Sequence, residues 1–389
     1  DEAGNVVSAA TLSDTISANS SKLYTQANND DLPSGFNGSV VILSDQPVAA
    51  IAVQEARNAA NKVYQGTYSG FAADRAADKF YAPTVMKAFY GFTTEISVQN
   101  ASSTNVDVSI AYAGGYADSF TELKPGQVIR FDNSATPGMP SAYIGGAVIT
   151  ATGGNIVAVV NQNNVAALQQ QTYEGFSAAA SGQELFVPVL MRSFYGFNTS
   201  VQVQNVGAGS TDVTIHYSNG TSKSATLATN GASTLFTQGN DASLPAGWIG
   251  SARITSTTEN VIAVANQQNV GTGKASSYNA FAASATGFVG PNVMKNFYGF
   301  NTSVQVQNVG ATATCTATFS NGTSQSSPSL AQYGTHLFTQ SNNAALGTSF
   351  IGSVSLDCGG QPFVAIVNQD GPAGVGDNAM SYNAIPDVP

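Results

Sequence analysis

The chain has 389 residues, of which charged side chains make up only 9%, and its formal net charge is −10. That is too long for one small core and too poor in basic residues for a nucleic-acid partner, which needs a positive face. No run of about 18 apolar residues occurs, so no segment reads as a membrane span. Ser, Thr, Asn, Gln, Gly and Ala stand where charge would normally be, which suits an extracellular protein that packs against copies of itself. The start at Asp1, without an apolar leader, fits either a removed signal peptide or a trimmed start.

The first 75 residues make sense only beside the later parts of the chain. Lys22-Leu23-Tyr24-Thr25-Gln26 returns as Thr234-Leu235-Phe236-Thr237-Gln238 and as His336-Leu337-Phe338-Thr339-Gln340. Gly35-Phe36-Asn37-Gly38-Ser39 returns as Tyr143-Ile144-Gly145-Gly146, Trp248-Ile249-Gly250-Ser251 and Phe350-Ile351-Gly352-Ser353. The run Val48 to Gln54 and the unit Tyr68-Ser69-Gly70-Phe71 also have later counterparts. The chain therefore opens with the second half of a repeat. A half sandwich leaves a sheet edge and an apolar face that proteins normally cover.

From residue 76 the units are whole. Phe89-Tyr90-Gly91-Phe92 leads into Ile96-Ser97-Val98-Gln99-Asn100, and Phe194-Tyr195-Gly196-Phe197 into Val201-Gln202-Val203-Gln204-Asn205. Phe297-Tyr298-Gly299-Phe300 leads likewise into Val304-Gln305-Val306-Gln307-Asn308. The interval of about a hundred residues matches one β-sandwich domain, and the Val/Gln alternation is the period of a half-buried strand. A hairpin comes next, turning at Ser218-Asn219-Gly220-Thr221 and at Ser320-Asn321-Gly322-Thr323, where Asn-Gly suits positive φ. Each unit ends on a buried-looking run with an amide pair (Asn161-Gln162, Asn266-Gln267, Asn368-Gln369) and then a Tyr: Tyr173, Tyr278, Tyr382. The expected fold is all-β: tandem antiparallel Ig-like sandwiches, with an incomplete N-terminal domain at 1–75 and full repeats at 76–180, 181–284 and 285–389. The joints between them are short, one (Ala72–Lys79) with helical character, so the reading is a stiff rod of domains end to end.

Few residues suggest chemistry. Two histidines, His216 and His336, sit on strands, and no nucleophile-elbow or phosphate-loop motif is present. The expectation is a protein with no catalytic residues, no cofactor and no metal site. Acidic loops such as Asn240-Asp241 hold too few carboxylates for calcium. Lys87, Arg192 and Lys295 share one position and read as bonds across a domain joint. Cys315 and Cys358 lack a partner at ligand spacing, and a disulfide between two strands of the last domain is expected, which fits an oxidising compartment. Seven sequons mark Asn19, Asn37, Asn100, Asn198, Asn219, Asn301 and Asn321 as candidate glycan acceptors, although Asn-Gly-Thr is also what a hairpin turn wants. The aromatics Phe89, Tyr90, Phe92, Phe194, Tyr195, Phe197, Phe297, Tyr298 and Phe300 recur at each domain start, which favours packing between domains over a sugar platform.

This pattern of tandem sandwiches, low charge and a lone terminal disulfide resembles the Ig-like repeat arrays of prokaryotic cell-surface and extracellular filament proteins. The resemblance is architectural and implies structure more than activity. Two functional expectations follow, the first of them from the half domain at the N-terminus. The first is a secreted subunit of a surface fibre, a head-to-tail homopolymer joined through the incomplete N-terminal domain, with strand complementation as one route. The second is an adhesin or carbohydrate-binding stalk with glycans as partners.

Overall fold

The computed structural model describes residues 3–17, 20–229 and 231–387. Its regular elements are β-strands joined by loops and short 3-10 turns, and the joint at Ala72–Lys79 contains one such turn, Ala73–Arg75. The alternation in the sequence is the cause. In Val106–Tyr112, Val106, Val108, Ile110 and Tyr112 point into the core while the residues between them face solvent.

The first complete sandwich shows the plan. One sheet holds, in order, Gln169–Glu174, Ile156–Asn164, Thr93–Asn100 and Val128–Asp132. The facing sheet holds Phe176–Ser177, Lys79–Lys87, Tyr143–Thr152, Val106–Tyr112 and Tyr116–Leu123. The second sandwich repeats the plan around Asn198–Asn205 and Glu184–Arg192, the third around Asn301–Asn308 and Gly287–Lys295. All pairings within the three sandwiches are antiparallel.

The opening strand of each sandwich carries a β-bulge, between Ala82 and Val85, Val187 and Leu190, and Gly290 and Val293. Each bulge contains a proline, Pro83, Pro188 or Pro291, which has no N–H to leave unpaired. The residue after it does have one, and a buried tyrosine from the end of the same unit takes it. Tyr173 Oη donates to Thr84 O at 2.7 Å and accepts from Thr84 N at 3.2 Å. Tyr382 Oη does the same with Asn292, at 2.8 and 3.2 Å. Tyr278 Oη donates to Val189 O and accepts from Val189 N at 3.2 Å. Burial raises all three phenols far above their ordinary value, so they stay neutral donors.

The units do not form a rod. The strand Val63–Ser69 packs against Gln169–Glu174, that against Lys274–Asn279, that against Ala379–Asn383, and the last returns to Val63–Ser69. Four equivalent strands thus surround one axis, and the array bends into a closed ring of three sandwiches and one half unit. The strands leave no room for a water between them. Hydroxyls and amides fill the space: Thr67 Oγ1 donates to Ser381 O at 2.9 Å, Ser381 Oγ to Ser276 Oγ at 2.9 Å, and Gln267 Nε2 to Ser381 Oγ at 3.0 Å. Apolar contacts run the same way round. Ile262 and Val264 of the second unit join the first unit's core, Ile366 of the third joins the second's, and Ile51 of the half unit packs on the third's. Short joints predict linear packing, but chain order says nothing about the angle between neighbours. That angle is set by these inward-facing residues.

Candidate assembly site

The half unit fills only half of its ring position. Ile51–Arg57 pairs antiparallel with Val63–Ser69, and Val63–Ser69 pairs in parallel with Gly376–Asp377 of the last unit. Among the described residues, no strand lies beside the opposite edge of Ile51–Arg57. In the complete units that edge is taken by the alternating Val/Gln strand: Thr93–Asn100 along Ile156–Asn164, Asn198–Asn205 along Val261–Asn269, and Asn301–Asn308 along Phe363–Asp370.

Topology decides which parts of the half unit become strands. Ile51–Arg57 and Val63–Ser69 are each other's neighbours, so both form. The counterpart of Tyr143–Thr152 is the stretch from Phe36 to Leu43, and in a complete unit that strand lies between two first-half strands. Here it has neither neighbour among the described residues. Val40, Val41, Ile42 and Leu43 are consequently irregular and 60–90% exposed.

Two further groups mark the open half. Tyr68 occupies the place of Tyr173, Tyr278 and Tyr382, yet with no bulge opposite it its hydroxyl makes none of their bonds. Between complete units a buried glutamine also reaches back to the preceding one. Gln204 Nε2 donates to Ala147 O at 3.1 Å and Gln307 Nε2 to Ala252 O at 3.2 Å. The equivalent carbonyl of the third unit belongs to Val354, which no such glutamine among the described residues reaches.

The half unit is held in place on both sides. Asp377 is fully buried and accepts from Gln170 N and Ala275 N, both at 2.9 Å, and from Ala379 N at 3.3 Å, tying three units together. Burial pushes its carboxyl up to about 7, against the opposing pull of those N–H groups and Lys274. Lys274 in turn bonds Asp370 and, at 2.9 Å, Gly371 O. Val63 N donates to Val375 O at 2.8 Å, and Glu174 accepts from Ser69 N. None of this was legible in the sequence, because Asp377 has no acidic counterpart in the other units.

The recurrent aromatics form hairpin turns, and their tyrosines face solvent, not a neighbouring domain. Phe89 and Phe92 exchange backbone bonds of 3.0 and 2.9 Å across a two-residue hairpin turn, with Tyr90 at φ 48° and Gly91 at φ 84°. Phe194–Phe197 and Phe297–Phe300 repeat it. Tyr90, Tyr195 and Tyr298 are 85–86% exposed at the tips, each edge-on to its neighbouring Phe at 4.6–4.7 Å. Left-handed backbone is uncommon for a bulky residue, and the ring contact with the adjacent Phe leaves most of each tyrosine in solvent. The Asn-Gly hairpins take a different turn in which Gly220 and Gly322 alone have positive φ, 88° and 83°.

Of the candidate glycan acceptors, Asn100 is buried, its amide donating to Thr104 O at 2.7 Å and Leu123 O at 2.8 Å. A glycan there would require the strand to come out, so this expectation is corrected. Asn219 and Asn321 are exposed in their turns, where each side-chain oxygen accepts from a threonine N–H at 3.1 Å. Asn198 and Asn301 accept from Ser193 N and Asn296 N, at 2.9 and 3.0 Å. Asn37 is half-buried, and Asn19 lies outside the described residues. Cys315 and Cys358 form a disulfide that joins adjacent strands inside the third core. Lys87, Arg192 and Lys295 donate to loop carbonyls of their own units, Thr136, Leu244 and Asn343, not across a joint. Asp241 is taken up by Ser243 N at 3.0 Å and Lys223 at 3.1 Å. His216 Nε2 lies 3.0 Å from Thr255 Oγ1, and His336 is edge-on to Phe338.

No protein-family model matches the chain, and no curated protein does. A solved structure described as a tetra-tandem repeat in the extending region of a large adhesion protein is similar over 87% of this chain and 82% of that one. The identity is 14% and the TM-score 0.11, a likeness too slight to transfer any property. No helix among the described residues is long and apolar enough to cross a membrane.

Proposed function

We propose that the chain is a secreted structural subunit that joins an extracellular filament or surface fibre through the open half of its fourth ring position. The free edge of Ile51–Arg57 carries this reading. An unpaired strand edge recruits another strand through main-chain bonds, and here the strand behind it is bonded to the units on both sides. A neighbour that fills one open half while offering another makes a heterologous contact, which propagates as a fibre and does not close. Electron microscopy of the intact chain beside one lacking residues 1–75 tests this. Fibres from the intact chain alone support it; discrete rings from both sink it.

A second reading, surface adhesion, is favoured by Tyr90, Tyr195 and Tyr298, exposed aromatics held at φ 47–48° in every complete unit. Aromatic faces stack on sugar rings, and three copies on one ring add avidity. Saturable binding on a glycan array, lost on replacing all three with alanine, would support it. Binding unchanged by those substitutions would refute it.

A further inference from the structure

We propose that the open half is a docking site for a polypeptide segment of the repeat's own first-half pattern. That segment comprises a bulged, proline-containing opening strand, an alternating Val/Gln strand and its hairpin. The inference names the partner class behind the assembly reading and rests on it.

The three complete units supply the template. Val201 pairs with Ala265, Thr199 with Gln267 and Asn198 with Gln268. Superimposing the closing tyrosines by register (Tyr278 opposite Ala265, Tyr68 opposite Ala52) carries this to the free edge. The incoming valine falls opposite Ala52, the threonine opposite Gln54 and the asparagine opposite Glu55. Ala50 O and Asn58 N bond toward Val63–Ser69, so Val53 and Glu55 present their N–H groups outward, ready for the new strand.

Every other irregularity of the half unit is resolved by the same occupant. The bulge of the incoming opening strand brings a backbone N–H and C=O to Tyr68 Oη. Its glutamine, in the place of Gln204 and Gln307, reaches Val354 O. Val40–Leu43 gains strands on both sides and becomes a buried middle strand, as Tyr143–Thr152 is in the first unit. Edge-to-edge pairing of two copies through Ile51–Arg57 would cover the backbone edge and leave all three of these groups as they are. Geometry therefore selects a first-half segment over a second copy's edge.

The probe is the fragment of this chain spanning 183–229, refolded by dilution into the intact protein. We expect a 1:1 complex by light scattering and at least tenfold slower hydrogen exchange at the Val53 and Glu55 amides. Val201→Asp in the fragment should abolish both effects, and Tyr68→Phe in the intact chain should weaken the complex about fivefold or more. Fusing the same fragment after Pro389 through a flexible linker removes any limit from fragment solubility. Unchanged exchange at Val53 and Glu55 in both the mixture and the fusion overturns the proposal. So does protection without fragment in a particle of doubled mass, since a second copy then covers the edge. Fibres whose Val53 and Glu55 amides exchange freely would sink this inference and leave the filament reading. Fragment binding without fibres would do the reverse.

Discussion

Replacing Tyr278 with Phe removes one hydroxyl and leaves the ring in place, so its effect reports mainly on the bond between the end of a unit and its bulge. The hydroxyl serves both Val189 N and Val189 O. The bulge holds these groups out of register with the neighbouring strand, so nothing else in the fully buried site can take them. Leaving a buried backbone donor and acceptor unsatisfied costs roughly 1–3 kcal/mol. In native-state hydrogen exchange this should speed exchange of the Val189 amide roughly five- to 150-fold and lower the denaturation midpoint of the second unit. Tyr68→Phe is the matched control. Its hydroxyl meets no bulge, so the same chemical change should alter stability by less than about 0.5 kcal/mol. If Tyr278→Phe is neutral, or if Tyr68→Phe is equally harmful, bulge and tyrosine do not form one device.

Other expectations concern separate parts of the molecule. Cys315→Val with Cys358→Ser restores the residue types of Val213 and Ser256 in the second unit; it should nonetheless destabilise the third sandwich by about 2–4 kcal/mol in denaturant, because a closed loop of 43 residues is released. Asp377 should make ring closure pH-dependent. Its folded value, about 7, lies above its unfolded one, so the folded state holds a proton that the unfolded state has lost. Stability from this group is greatest below the unfolded value and declines as pH rises through about 7. Asp377→Asn should flatten that slope, read from exchange at the Gln170 amide between pH 4 and 8. In a glycosylating host, mass spectrometry should find Asn219 and Asn321 accessible to modification and Asn100 bare.

The sequence alone determined the strands, and through them the sandwiches. Val106, Val108, Ile110 and Tyr112 alternate with polar residues, and that period has one solution when a single face is buried. The half unit was legible for the same reason, since Leu23-Tyr24-Thr25-Gln26 and Tyr68-Ser69-Gly70-Phe71 match later stretches of the chain. The disulfide partners were also legible, because the chain has only two cysteines. The closing tyrosines were visible as a repeat, but their task was not, because a hydroxyl meeting a bulge about 89 residues away in sequence depends on register. The aromatic turns were not legible, because recurrence at each domain start suits interface packing and a hairpin turn equally. In fact Tyr90-Gly91 turns a hairpin outward.

Only tertiary structure decided that the array closes. Ring closure depends on the crossing angle between sandwiches, which Ile262, Val264, Ile366 and Ile51 set by reaching into a neighbour's core. A local pattern records that these residues are apolar and inward-facing, but not which unit they face. The open half of the fourth position has the same geometric origin. A strand exists where another lies beside it, so the half unit folds along Ile51–Arg57 and Val63–Ser69 and stays open at Val40–Leu43. Backbone hydrogen bonds between strands are non-local, and their presence is fixed by the neighbour and not by the residues themselves.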